Sequence, residues 1–291
     1  MASRIHLFKD TQLKPVWTFN AGALIWRIFF TPHNLLIGET RDQEEKSTRF
    51  FCLDIPTGRV RWQDIGFEEP WWIGIEAVHE PWLILHGYVR PDVPEHRGIR
   101  VLDIESGKLL WRNDERSFWF IDGEQLYAHT YLFEKHICTV MDINTGELVS
   151  EQSENLDAMQ ELRQQTLQKE SERQPAVMFP DVYDEHEADP ALRKTIQRLT
   201  DNKALEGWIE FLDHRGILIV SYYRKEEKTA DPPLLDNRIS IYDKQNEKIL
   251  YTDIIAGGVK TPSPDTFFIK DDLLLFLKHQ TSILALQPWK S

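Results

Sequence analysis

Cysteine is scarce: Cys52 and Cys138 are the only two in 291 residues, and they stand far apart. That excludes a disulfide-stapled scaffold, no short spacing suits zinc or a redox pair, and two isolated thiols fit a reducing compartment. Positive charge is in deficit, with 34 Lys and Arg against 47 Asp and Glu and a formal net charge of −13. A phosphate backbone would be repelled by such a surface, so nucleic acid is not the expected partner. Long apolar runs are missing as well. Met1 to Asp10 reaches a charge before any run suits a signal peptide or membrane span, so the expected location is the cytoplasm, with no membrane partner. Gly-x-Ser-x-Gly, His-Glu-x-x-His, a phosphate-binding loop and the dinucleotide fingerprint are all absent. The stretch Asp181 to Asp189 is acidic but lacks the glycine and spacing of a calcium loop, and it reads as a solvated loop between two helices. No metal or cofactor is expected.

What the chain does contain is a repeat. Leu53-Asp54-Ile55-Pro56-Thr57-Gly58-Arg59-Val60-Arg61-Trp62 is echoed without a gap by Leu102-Asp103-Ile104-Glu105-Ser106-Gly107-Lys108-Leu109-Leu110-Trp111. A third copy starts at Met141-Asp142, a degenerate fourth at Tyr242-Asp243, and a faint one spans Phe8-Lys9 to Val16-Trp17. Each copy reads as strand, tight turn, strand, because Thr-Gly or Ser-Gly supplies the positive φ that a short hairpin needs. The four aspartates are separated by 49, 39 and 101 residues. The last gap is about two periods long and holds, over 153–205, a stretch of another kind. There Leu156, Met159 and Leu162 with Leu167, then Leu192, Ile196 and Leu199, recur at helical intervals among charges.

Upstream of each hairpin lie two further β-rich runs. The first runs are Leu24 to Phe30, Ile73 to Val78, Phe118 to Ile121, Trp208 to Leu212 and Phe267 to Lys270, each followed by a second run. Four strands per repeat at about 45 residues predict an all-β chain, a β-propeller of five four-stranded blades forming a single domain over 1–291. The 153–205 segment is then a helical insertion between the third and fourth blades. An all-β sandwich competes, but sandwiches do not repeat a hairpin motif at near-constant spacing. Ser282 to Leu286 supplies a third strand at the C-terminus, and Pro15 to Asn20 is available as the missing outer strand. The insertion is expected to lie over the rim that carries the long loops, and to be removable without unfolding the rest.

The Leu-Asp-x-x-Thr-Gly-x-x-x-Trp hairpin resembles the repeat of the quinoprotein-like (PQQ-repeat-like) β-propellers, through two strong copies, one fair copy and two weak ones. The resemblance implies the fold. Quinone-dependent members of that superfamily are eight-bladed and exported, with an adjacent-cysteine disulfide and calcium ligands. Cys52 and Cys138 do not match that pattern, so the quinone is not carried over. The layout resembles uncharacterised bacterial propeller families that keep the repeat without the chemistry.

Long connections, such as 41–48, 66–71, 90–98, 224–236 and 256–264, alternate with short turns and so gather on one rim, where binding residues concentrate. Arg41, Arg90 and His129 each lie 13 residues before a repeat aspartate, and Arg224 ends the comparable strand of the fourth repeat. An arc of such groups would suit a small anionic ligand or a protein partner; the same spacing also allows pairing with Asp42, Glu44, Asp92 and Glu95. Trp71 and Trp72 either form an aromatic platform or pack between blades. Counting back from Leu83 and Ile217 reaches Glu76 and Glu210, with Arg27 nearby. Two central carboxylates could serve a glycosidase-like or lyase-like enzyme, or could be held with Arg27 in a buried network. The expectation is a non-catalytic binding module acting through its long-loop face, with the enzyme as the alternative and the oligomeric state open.

Overall fold

The computed structural model describes residues 13–90, 93–132, 135–152, 156–173, 176–200, 205–225 and 234–289. Four repeat hairpins are closed by their own aspartate, while the faint copy at 8–17 lies mostly outside the described residues. One carboxylate oxygen of Asp54 accepts the Thr57 amide and hydroxyl, and Asp103 does the same for Ser106. Asp142 accepts the Thr145 amide at 2.9 Å and Asp243 the Asn246 amide at 3.0 Å. These are Asx turns, in which the side chain replaces a backbone acceptor. The residue after the turn is left-handed throughout: Gly58, Gly107 and Gly146 at φ 68°, 68° and 74°, and Glu247 at 50° in the degenerate copy.

The strands assemble into two compact units, Ala23–Pro175 and Met1–Gly22 with Ala176–Ser291. The N-terminal strand β1 (Trp17–Asn20) belongs to the second of these. Unit 23–175 holds three sheets of four antiparallel strands in sequential order. They are β2 (Leu24–Phe30), β3 (Leu35–Asp42), β4 (Ser47–Asp54) and β5 (Val60–Ile65); β6 (Ile73–His79), β7 (Trp82–Arg90), β8 (Val93–Asp103) and β9 (Leu109–Asn113); and β10 (Ser117–Asp122), β11 (Gln125–Leu132), β12 (Lys135–Asp142) and β13 (Leu148–Gln152). Helix α1 (Leu156–Arg173) follows and packs on the third sheet.

Within this unit the repeat builds its own joints. The Trp62 indole N–H donates to the Ile104 carbonyl at 2.6 Å, and its ring lies so close over Gly107 that a Cβ there would come within 2.8 Å of it. Trp111 repeats the arrangement, donating to the Ile143 carbonyl at 2.6 Å and covering Gly146. The tryptophan of one copy therefore seals the glycine turn of the next, which is why the two residue types recur together. Cys52 and Cys138 are both buried, and burial pushes the Cys52 thiol up to about 12.

The other unit contains β14 (Val177–Met178), β15 (Asp181–Val182), α2 (Pro190–Thr200), β16 (Leu205–His214), β17 (Ile217–Lys225), β18 (Leu235–Asp243), β19 (Lys248–Val259), β20 (Phe267–Lys270), β21 (Leu273–Lys278) and β22 (Ser282–Leu286). Its sheets run β15-β16-β17-β18-β19 and β1-β22-β21-β20-β14. Strand β1 pairs with β22, Trp17 opposite Ala285, so the first and last strands share one sheet as the sequence predicts. Among the described residues the chain is all-β in five sheets apart from two helices. The sequence-predicted propeller is compatible with these sheets, three of four strands and two of five.

The insertion differs from its expectation in three ways. Asp181–Val182 is not loop: it pairs with Phe211 and Glu210 at the edge of β16, while Val177–Met178 pairs with β20. Of the predicted α1 stripe, Met159 and Leu162 pack against Phe120, Tyr127, Cys138 and Val140, with buried Thr166 one turn on; Leu167 points to solvent, and the Leu156 side chain lies outside the described residues. Helix α2 starts on Asp189, which accepts the Ala191 and Leu192 amides, with Pro190 in the first helical position. It buries Ile196 and Leu199 against Leu218, Val220, Tyr222 and Tyr242, so removing the insertion would uncover that apolar face of β17 and β18.

Candidate functional site

The first strand of four sheets carries a bulge opposite the second strand. Register shifts fall between Ile25 and Arg27, Ile75 and Ala77, Phe118 and Phe120, and Glu206 and Ile209. A bulge leaves one residue unpaired and re-aims it. That residue is Trp26 in the first sheet, Glu76 in the second and Trp119 in the third.

A second equivalence runs along the next strand. Leu35, Trp82, Gln125 and Ile217 each pair with a repeat aspartate, which fixes a common starting point. Four residues further on stand Glu39, His86, His129 and Ser221, a polar row on otherwise apolar strands. Glu39, His86 and Ser221 are buried and His129 is half-buried. Each must therefore find partners.

In the second sheet these two rows meet. His96 Nδ1 lies 2.6 Å from Glu76 Oε2, and the His86 and His96 rings stack with centroids 3.5 Å apart and planes 13° from parallel. Tyr88 stands edge-on to both imidazoles, at 5.0 Å and 5.2 Å, and Trp72 packs on Tyr88 at 5.7 Å. Gly98, at φ 88°, sits where the register of β7 against β8 shifts, and this kink brings His96 back toward His86. Burial lowers the His86 pKa to about 4, with the charges of His96, Arg27 and Arg41 acting in the same direction. The His86 ring is therefore neutral at pH 7. With Nδ1 3.1 Å from the Gly87 carbonyl, the proton sits on Nδ1 and Nε2 keeps its lone pair.

Beside this group lies a buried ion pair. Arg41 donates to Glu39 through Nε at 2.8 Å and also to the Trp71 and Ile73 carbonyls, while the Ile75 amide donates to the other Glu39 oxygen at 2.9 Å. The pair fastens the first sheet to the second. A Cβ on Gly74 would stand 2.9 Å from His86 Nε2 and 3.1 Å from Glu39 Oε2, so only glycine leaves room for both.

The residues singled out from the sequence fall in several places. Arg41 is half-buried and engaged by Glu39, with its guanidinium 5.2 Å from the Trp71 ring centre. Arg90 is exposed at the end of β7, and half-buried Arg224 pairs in register with Leu205 and Asp236. The common spacing of 13 does not put Arg41, Arg90 and His129 at one level, because the loops between second and third strands differ in length. They lie six, eight and four residues from the common starting point. Trp71 is half-buried and Trp72 is 36% exposed, their rings edge to face. Arg27 is exposed, and its Nη1 donates to the Ile75 carbonyl at 3.2 Å; the hydrogen-bond partner of Glu76 is His96.

Glu210 is opposite Ser221, the position that Gly74 holds opposite His86, so it is not the counterpart of Glu76. The two carboxylates belong to different units. Buried Glu210 accepts the Asp265 and Thr266 amides at 2.6 Å and 3.1 Å and the Thr266 hydroxyl at 2.5 Å, which ties the start of β20 to β16. His86 and His96 were not found from the sequence. The signal for His86 was the polar row that it shares with Glu39 and His129; nothing local marked His96.

A family model described as a domain of unknown function (DUF4905) matches residues 31–111, the stretch that holds the first sheet from the β2–β3 turn and most of the second. None of the curated proteins compared matches the chain. Among solved structures, the β-propeller domain of the Trilobed protease from Pyrococcus furiosus, described as having an open velcro topology, is similar at 12% identity and a TM-score of 0.30. That likeness covers 89% of this chain and 64% of the other.

Proposed function

We propose that this chain is a cytoplasmic, non-catalytic binding module, its five sheets the blades of one propeller of quinoprotein-like type without the quinone. Its ligand, a small molecule or a segment of a protein partner, binds at the end of the second sheet that the 66–72 connection enters. The observation that carries this reading is the convergence there of Trp72, Tyr88, His86, His96 and Glu76. At the opposite end of the strands, the turns are closed by Asx bonds and tryptophan clasps, which leave fewer groups to offer a ligand. Half-exposed aromatic faces beside a few fixed polar groups are what a binding surface requires. The enzyme reading gains nothing from Glu210, whose oxygens already hold amide and hydroxyl donors.

A thermal-shift screen against a metabolite library, run beside an affinity pull-down, tests the reading. A hit whose binding falls by tenfold or more in Trp72→Ala and Tyr88→Ala supports it. Binding unaffected by either substitution places the ligand elsewhere and contradicts it.

A further inference from the structure

We infer that Glu76, His86 and His96 form a binding site for one divalent transition-metal ion of the zinc class. One ligating atom from each of the three lies within 4.8 Å of the others, which among the described residues makes this the one group of three or more His, Cys, Asp or Glu so gathered. The ligands come from β6, β7 and β8, three adjacent strands of a single sheet, so the spacing is fixed by strand pairing and not by a loop. Two structural devices aim them inward: the bulge that frees Glu76 and the Gly98 kink that turns His96 toward His86.

The donor set suits the ion. Two imidazoles and one carboxylate are the ligands of open zinc sites, with metal distances of about 2.0–2.2 Å that leave a further position for water or a ligand. The Gly87 carbonyl, 3.1 Å from His86 Nδ1, fixes the tautomer that leaves Nε2 free to ligate. A backbone acceptor on the non-ligating nitrogen is the usual outer support of a metal-bound histidine. A metal lies in the plane of each imidazole that ligates it, and the His86 and His96 rings are stacked 13° from parallel with centroids 3.5 Å apart, so loading the ion must splay the stack and move Tyr88, which packs on both.

The inference goes beyond the binding reading and stands without it, since the ion needs neither Trp72 nor an organic ligand. The test uses the full chain without a polyhistidine tag, titrated with ZnCl2 by calorimetry and with CoCl2 by visible absorption. The expected result is one ion per chain and a cobalt d–d band of a low-coordinate site. His96→Gln, on a part-exposed position, and Glu76→Gln should each weaken binding at least tenfold while circular dichroism stays native, whereas His129→Gln should leave it unchanged. No stoichiometric binding by the wild type, or binding that survives both His96→Gln and Glu76→Gln, overturns the inference. Loss of metal affinity in Trp72→Ala would be a failure of this site's independence, and retention of metal with loss of the organic hit separates the two proposals.

Discussion

At the scale of single residues, the chain spends polar groups where the strands are otherwise apolar. The row Glu39, His86, His129 and Ser221 sits at one level of four sheets, and each member has a different solution to burial. Glu39 takes an arginine and an amide, Ser221 bonds Asn237 and Thr266, and His86 stacks on His96. The pKa of His129 is lowered mainly by burial, with the neighbouring charges of His136 and Arg163 adding to the effect and Glu95 opposing it. A lowered folded-state value means that the unfolded chain takes up the proton first, so stability is lost as pH falls below the ordinary imidazole value of about 6.5. Nuclear magnetic resonance titration should find His129 titrating below the ordinary imidazole value, and His129→Gln should flatten the fall of Tm as pH drops through that value. A His129 that titrates at or above 6.5 contradicts this.

Among elements, the hairpins were the most legible part of the fold, because Asp, Thr or Ser, Gly and Trp act within ten residues of one another. The turn needs the first three, and the tryptophan needs only the turn of the next copy. Glu247 breaks the pattern with a side chain at φ 50°, a conformation that costs a non-glycine residue about 1 kcal/mol. Glu247→Gly should therefore raise the unfolding free energy by about that amount, read from denaturant curves; a loss of stability would show that the Glu247 side chain has a role of its own. The site was less legible. Its geometry depends on bulges and on loops of unequal length, so counting residues put Glu210 level with Glu76 and aligned Arg41 with Arg90, neither of which the register supports. The helices were legible as helices, but the choice between Leu167 and Thr166 as the buried side of α1 depends on the sheet that it meets. For α2 the partner sheet is explicit, and Leu199→Ala should cost about 2–3 kcal/mol in the same measurement, since a cavity opens under Tyr222 and Leu218. A change below 0.5 kcal/mol would mean that α2 is a peripheral arm after all.

For the whole molecule, the division of labour along the strands is the organising feature. At one end the Asx turns and indole clasps are repeated and closed; at the other, the expected long connections at 41–48 and 90–98 are largely strand, but the 66–72 connection leads into the second sheet, which gathers two tryptophans, a tyrosine, two histidines and a carboxylate. The net charge of −13 places no general attraction on an anionic ligand, so recognition of one must come from this local group. Hydrogen-exchange footprinting of the full chain, with and without the strongest hit of the metabolite screen, tests that division directly. Slowed exchange is predicted in the peptides that cover residues 71–76 and 86–98, with the turns at 54–58, 103–107 and 142–146 unchanged. Protection confined to those turns would place binding at the wrong end of the strands and contradict the proposal.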